Sequence, residues 1–290
     1  MFATWPIVGK VALRSLPSTA LVAFRTAGAA LALVALQGLS GRREKIRGAD
    51  WPLLLLCGLL GVVLNQLLFV KGLSLTTVIN ATLLGTTIPV FTLLMSIFLG
   101  RDRGTMRSAL GMALAAGGVI YLIGPMRAEF STGNRFGDLL IVANSISYGA
   151  YIAVSEDLVK RYGALTIITW IFIVSSAVTV PIGVANLSYS VLLHLPTVVW
   201  LSVLYIILIP TVGAYYLNAW ALARVPPSTV AVYIYLQPLI AFALAPLLLG
   251  ETWSWRTLLA AGLIFAGVAI VTSRSRAIRE VSEHPEALGH

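Results

Sequence analysis

Charge is what this sequence has least of. Of its 290 residues, 11% are charged, against roughly 25% in a soluble domain. Hydrophobic residues make up 58%, and the mean hydropathy is +0.91. So few charges cannot shield that much apolar surface from water, so the expected solvent is lipid. Cysteine occurs once, at Cys57 inside an apolar run. That excludes a disulfide framework and leaves no metal-ligand cluster, so no metal and no cofactor are expected. Histidine occurs three times, at His194, His284 and His290, in a loop and in the tail. No nucleophile stands with a base and no glycine-rich loop is placed to cradle phosphate, so no catalytic residues are assigned and an enzyme is not expected. Acids are scarce inside the runs: Asp138, Glu156, Asp157 and Glu251 all read as helix-end residues. A proton relay built on a buried carboxylate is therefore not expected. There is also no charge ring or filter of the kind an ion channel needs.

The net charge of +9 comes from Lys and Arg placed between apolar runs. They form no stripe on a soluble face, so nucleic acid is not an expected partner. The expected partners are a small-molecule substrate and the lipid bilayer; composition sets no oligomeric state.

What the chain does have is a repeat. The stretch from Thr77 to Val119 and the stretch from Pro226 to Val268 superpose at an offset of 149 positions. Pro89 then falls on Pro238, Leu99 on Leu248, Arg107 on Arg256, Gly118 on Gly267 and Val119 on Val268. Each copy reads as a long helix with a proline in mid-membrane, a short polar turn and a glycine-rich helix.

Ten apolar runs follow from the roughly 20 residues needed to cross a bilayer. They span residues 2–13, 17–39, 51–70, 76–99, 108–123, 138–154, 165–187, 197–222, 229–249 and 255–272. The first is too short to cross and carries Pro6 and Lys10. No basic segment precedes it and no small-residue cleavage site follows, so it is not read as a signal peptide. It reads as the second half of a first helix, the start of the chain being missing or misassigned. The expected fold is an all-α membrane protein of ten transmembrane helices in two five-helix repeats, residues 1–125 and 137–273. Residues 274–290 form a charged tail expected to be disordered.

The basic residues set the orientation. Arg42, Arg43, Lys45 and Arg47, then Arg101, Arg103 and Arg107, then Lys160, Arg161, Arg224, Arg274, Arg276 and Arg279 fall on one side. The other side holds Arg14, Lys71, Arg127, Arg135 and Arg256. Both termini are thus expected in the cytoplasm of a cell (inner) membrane. An odd number of helices per half makes the repeat an inverted one, a design of secondary transporters with the site at the repeat interface.

The stretch NQLLFVKGLSLTTVINATLLGTTIPVF, the LGETW segment and the paired glycine-rich fifth and tenth helices resemble the EamA family of the drug/metabolite transporter superfamily. The resemblance covers residues 2–272. It implies ten helices, a central cavity, alternating access and export of small metabolites such as amino acids or related compounds. Family members often carry an Arg in the second helix, which Arg25 matches. Two departures stand out: the first helix is truncated, and the acid after Leu-Gly is present as Glu251 in the second half but replaced by Arg101 and Asp102 in the first. The competing reading is a membrane-embedded scaffold without transport or catalytic activity.

Polar groups inside a bilayer face the bundle interior or a cavity, and helical spacing sorts them. Asn144, Ser147, Tyr148, Tyr151 and Ser155 fall on one face of the sixth run, and Thr229, Tyr233 and Gln237 on one face of the ninth. Thr76, Asn80 and Thr87 share a face of the fourth, while Thr211, Tyr215 and Asn218 share one of the eighth. Asn65 and Gln66 mark the third run, Trp5 and Lys10 the first. The candidate substrate-binding residues are therefore Trp5, Lys10, Asn65, Gln66, Asn80, Thr87, Asn144, Tyr148, Tyr151, Tyr215, Asn218, Tyr233 and Gln237. A cavity of aromatics and amides suits a small amphipathic solute.

Plainer roles stand beside these. Ser, Thr, Asn and Gln also stitch helices together. Trp51, Trp200, Trp253 and Trp255 read as interfacial anchors. Pro89 and Pro238 read as kinks or hinges. Gly111, Gly117, Gly118, Gly262 and Gly267 read as points of close helix approach. Arg25 is expected to snorkel to the nearest interface, whereas Lys10, in the company of Trp5, is placed to pair a substrate carboxylate.

Overall fold

The computed structural model describes residues 4–40, 45–100, 104–123, 132–222, 236–252 and 254–283. Among them every regular element is helical, as lipid demands of a backbone that must satisfy its own polar groups. In chain order the helices are α1 (Trp5–Ala12), α2 (Ser18–Ser40), α3 (Trp51–Gly58), α4 (Asn65–Leu75), α5 (Val78–Gly85), α6 (Ile88–Phe98), α7 (Met106–Ile123) and α8 (Thr132–Tyr162). They continue as α9 (Ala164–Ala185), α10 (Tyr189–Leu193), α11 (Thr197–Ile206), α12 (Ala214–Leu222), α13 (Leu236–Leu249) and α14 (Trp255–Glu283). Among the described residues six stretches are long and apolar enough to cross a membrane: Ser18–Ser40, Gly48–Leu75, Val78–Phe98, Arg135–Tyr162, Ala164–Ala185 and Thr197–Leu217. Met106–Leu122, Gln237–Leu249 and Trp255–Ile270 are shorter apolar helices.

Large apolar side chains point outward. Leu39 is 86% exposed, Phe98 84% and Leu247 80%. In water such faces would aggregate; in lipid they are the expected exterior. Inside, Arg25, Gln66, Asp138, Asn144 and many Thr and Ser side chains are buried. Polar residues thus turn inward, while large apolar ones fill the core and also face outward.

Two helix pairs carry much of the packing: α2 lies along α9, and α7 along α14. Small residues let them close. A Cβ on Gly267 would stand 2.5 Å from the Ala115 nitrogen and the Gly111 oxygen of α7. One on Gly183 of α9 would overlap Ala23 of α2, while Thr26 and Thr179 share a hydrogen bond of 2.6 Å across the same pair. Gly118 meets Ile264 in the same close way, but Gly117 and Gly262 face open space. The expected role of glycine as a close-approach residue thus fails at those two, which sit on the far side of their helices.

Several elements differ from the sequence expectation. The fourth run is not one kinked helix: α5 ends at Gly85, Thr86 and Thr87 form a turn, and α6 starts at Ile88 with Pro89 in its first turn. A proline there omits an N–H that has no helical partner anyway, so it starts a helix instead of bending one. Pro238 lies in α13, and the residues just before that helix, 223–235, lie outside the described ones. The sixth helix is longer than expected, because α8 begins in the polar connector at Thr132 and continues through Glu156, Asp157 and Lys160 to Tyr162. Glu156 and Lys160 are good helix formers, and the ion pair between them at 2.7 Å is of the i,i+4 type. Nor does α14 stop at Thr272. Its backbone is helical through Glu283, where the sequence predicts a disordered tail; no Gly or Pro lies between Thr272 and Pro285.

Two segments are π-helical, Leu59–Leu64 between α3 and α4 and Ile207–Gly213 between α11 and α12. The wider turn frees carbonyls, and side chains take them up. Ser147 Oγ donates to the Leu60 carbonyl at 2.8 Å, and Thr211 Oγ1 donates to that of Ile206 at 2.7 Å. Such bulges reorient the residues that follow them.

The turn after α13 reaches across to α5. Glu251 accepts hydrogen bonds from the Val78 nitrogen at 2.7 Å and the Ile79 nitrogen at 3.1 Å, while Thr77 Oγ1 accepts from the Asn80 nitrogen. Both satisfy orphan donors at the α5 N-terminus, and the carboxylate also complements the helix dipole. Glu251→Ala should therefore cost about 1 kcal/mol, read as a lower melting temperature in detergent. Glu251→Gln, which keeps one acceptor, should lie between. A melting temperature unchanged in both variants would remove the cap from the account.

Candidate functional site

A chain of hydrogen bonds runs through the middle of the bundle. Asn65 Nδ2, at the start of α4, donates to Asn144 Oδ1 on α8 at 2.6 Å. Tyr215 Oη on α12 donates to Asn65 Oδ1 at 3.3 Å and accepts from Gln66 Nε2 at 3.1 Å. Gln66 Oε1 in turn accepts from Nη1 of Arg25 on α2, and Arg25 Nε donates to Thr211 Oγ1 at 2.6 Å. Five residues of the chain, Arg25, Gln66, Asn144, Thr211 and Tyr215, are buried. The π segments explain how they meet: Asn65 and Gln66 follow the first directly, Thr211 lies within the second, and Tyr215 follows it.

Aromatic rings wall this chain. Tyr148 packs on Tyr151 with ring centres 5.4 Å apart and meets Tyr215 edge-on at 6.3 Å. Phe172 meets Tyr215 edge-on at 5.2 Å. The indole of Trp5 covers the Arg25 guanidinium at 4.1 Å and stacks on Phe69. Gly61 lets the Tyr151 ring approach the π segment, since a Cβ there would fall 2.5 Å from the ring. The cluster thus sets ring faces beside amide and phenol hydrogen-bonding groups.

The model of the EamA-like transporter family matches this chain at residues 1–124 and again at 135–273. The chain belongs to the EamA-like transporter family. Among relatives, an "Uncharacterized transporter" of Archaeoglobus fulgidus is 27% identical over 79% of this chain and 79% of its own. A protein of Streptantibioticus cattleyicolor named "Probable terminal-alkyne amino-acid exporter" is 26% identical over 89% of this chain and 84% of its own. The "Uncharacterized transporter YetK" of Bacillus subtilis is 26% identical over 78% and 69%. A solved crystal structure with 19% identity superposes with a TM-score of 0.63 over 95% of this chain and 96% of its own, which supports the fold alone. With its apolar spans, this EamA-family chain is a multi-pass membrane protein of a family that transports small molecules.

In the EamA chain the predicted site residues divide. Trp5, Asn65, Gln66, Asn144, Tyr148, Tyr151 and Tyr215 gather at the central network. Lys10 does not. Its Nζ donates to the carbonyls of Leu73, at 2.7 Å, and Thr76, where α4 ends. A cation there answers the dipole and the orphan carbonyls of the helix end. In this structure Lys10 caps the end of α4, away from the central network. Asn80 lies in the same outlying group, with Nδ2 3.3 Å from Asp138 Oδ2. Thr87 is buried and donates to the Leu84 carbonyl within the turn between α5 and α6. Gln237 is half-buried in α13. Tyr233 and the Asn218 side chain lie outside the described residues.

Two residues were misread from sequence. Arg25 does not snorkel; it is 3% exposed and held by side chains of α4 and the second π segment. Asp138 does not end its helix; it is buried inside α8 and accepts from Thr76 Oγ1 and Asn80 Nδ2. The available signal for Asp138 was Thr76 and Asn80 themselves, which share a helical face with no other partner in sight. A cavity of about 430 Å³ lies close by, lined by Lys10, Arg14, Thr76, Thr77, Leu249 and Glu251 among others. At the opposite end of α8, Arg161 and Tyr162 hold Asp50, the pair with Arg161 being 2.8 Å.

Proposed function

We propose that this protein exports small metabolites across the cell (inner) membrane by alternating access, with the central network as its transport site. The observation that carries the reading is the hydrogen-bonded chain from Asn144 through Asn65, Tyr215, Gln66 and Arg25 to Thr211. It places amides, a phenol and a guanidinium in the membrane interior, where polar groups are costly and serve function. The substrate class is small amphipathic solutes, and the amino-acid exporter among the relatives points toward amino acids or related compounds.

Ten helices in two inverted repeats, residues 1–125 and 137–273 with both termini cytoplasmic, fit the same reading. The π segments lie at the 149-residue offset, Leu59–Leu64 against Ile207–Gly213. The pairs α2 with α9 and α7 with α14 join elements that correspond under that offset. Elements that touch their own counterparts are what a two-fold relation produces, and an inverted repeat places its site at the interface.

The test is efflux. Cells expressing the protein are compared with cells carrying an Asn65→Leu, Asn144→Leu double variant at matched membrane level, and the medium is profiled by untargeted mass spectrometry. One compound class should accumulate outside with the wild type and not with the variant. Identical media from wild type, variant and empty vector would refute export and favour a scaffold.

A further inference from the structure

Arg25 is a buried cation with no buried anion beside it. It sits in the first half of α2, 3% exposed, and among the described residues everything within bonding reach is neutral: Thr211 on Nε, Gln66 on Nη1, the Trp5 ring on its face. A guanidinium carries five N–H donors; two are used here. Among the described residues no carboxylate pairs with it. The described ion pairs, Lys160 with Glu156 and Arg161 with Asp50, lie at helix ends. The buried Asp138 is taken up by Thr76 and Asn80, and Glu251 caps α5.

An uncompensated charge in a low-dielectric interior is strongly unfavourable. A helix contact alone would be better served by a neutral side chain. Here two membrane helices are instead distorted into π turns, and the residues that hold Arg25 come from those distortions: Gln66 just after one, Thr211 within the other. The guanidinium is thereby fixed in orientation while donors remain free for a further acceptor.

We infer that Arg25 is the anion-binding point of the transport site and that the transported solutes carry a carboxylate. This rests on the transporter reading given above. A carboxylate matches the fork of a guanidinium in two parallel hydrogen bonds. One carboxylate also neutralises one guanidinium, whereas a phosphate monoester, near two negative charges at neutral pH, would leave an excess anion buried. The rings of Trp5, Tyr148 and Tyr215 give the apolar part of the solute its contact surface.

The test separates binding from transport. The purified full-length protein is titrated in detergent with phenylacetate, indole-3-acetate and phenylalanine, each against its amide, and with phenyl phosphate. Thermal stabilisation is the readout. The same solutes are then followed out of preloaded proteoliposomes. At least one carboxylate should stabilise the wild type above its amide and above phenyl phosphate. Arg25→Met should abolish that preference while still melting cooperatively, and Arg25→Lys should retain part of it. Amides and acids that stabilise equally or not at all, or phenyl phosphate binding best, would overturn the inference without reference to the variants. A carboxylate preference that survives in Arg25→Met would overturn it as well. Carboxylate-selective stabilisation without efflux would instead leave Arg25 as an anion site and sink the transporter reading.

Discussion

Replacing Gly267 with valine is expected to remove most folded protein from the membrane. The first atom of the new side chain would stand 2.5 Å from the Ala115 nitrogen and from the Gly111 oxygen. Both are backbone atoms of α7, so neither can rotate out of the way; the helices must part. Overpacking of this kind costs about 1–3 kcal/mol or more. The α7–α14 pair has little to replace the lost contact, because helix association in lipid relies on close van der Waals approach and not on expulsion of water. Gly262→Val is the matched control, on the same helix with nothing within 4 Å of the new atom. Fluorescence-detected size exclusion should show a collapsed monodisperse peak for Gly267→Val and a near-normal one for Gly262→Val. Equal peaks would mean that α7 and α14 do not cross at these residues.

Gln66 should give opposite stability effects with the same functional loss. Gln66→Leu removes the acceptor of Arg25 and the donor to Tyr215 together. Each buried polar group left unsatisfied costs about 1–3 kcal/mol, more for a charged one, so the melting temperature should fall steeply. Gln66→Glu keeps the shape and sets a carboxylate against the guanidinium. The buried cation gains a counter-charge, and the melting temperature should rise above that of Gln66→Leu and reach or exceed the wild type. Efflux should be lost in both, in one case because the network is broken and in the other because Arg25 is already neutralised. Efflux that persists in Gln66→Glu would separate the network from the transport path. Thermal melts and proteoliposome efflux on the three proteins decide it.

The residues themselves were enough for part of this. Scarce charge and long apolar runs set lipid as the solvent, and the doubled Pro89 and Pro238 segments with LGETW set the family. Helical spacing placed Asn144, Tyr148 and Tyr151 on one face of the sixth helix and Tyr215 on a face of the eighth, and these do converge with Asn65 and Gln66 in the bundle. Periodicity reports which side of a helix is polar, and in lipid that side must turn inward.

Periodicity does not report which helix it meets there. Arg25 reads the same whether its guanidinium climbs to the interface or turns to Gln66 and Thr211, and Lys10 reads the same beside a substrate or across the end of α4. The π segments leave no mark in composition, because a π turn is the response of one helix to its neighbours: Ser147 reaching the Leu60 carbonyl, Tyr151 pressing on Gly61. Asp138 turned inward only because α8 continues past it into the polar connector and finds Thr76 and Asn80. Sequence alone determined the solvent, the all-helical class and the family, the first two because they follow from the transfer of each side chain into lipid one residue at a time and the third from its repeated motifs. The tertiary structure alone decided where the charge sits, since the cost of burying a guanidinium depends on partners that lie tens to hundreds of positions away along the chain.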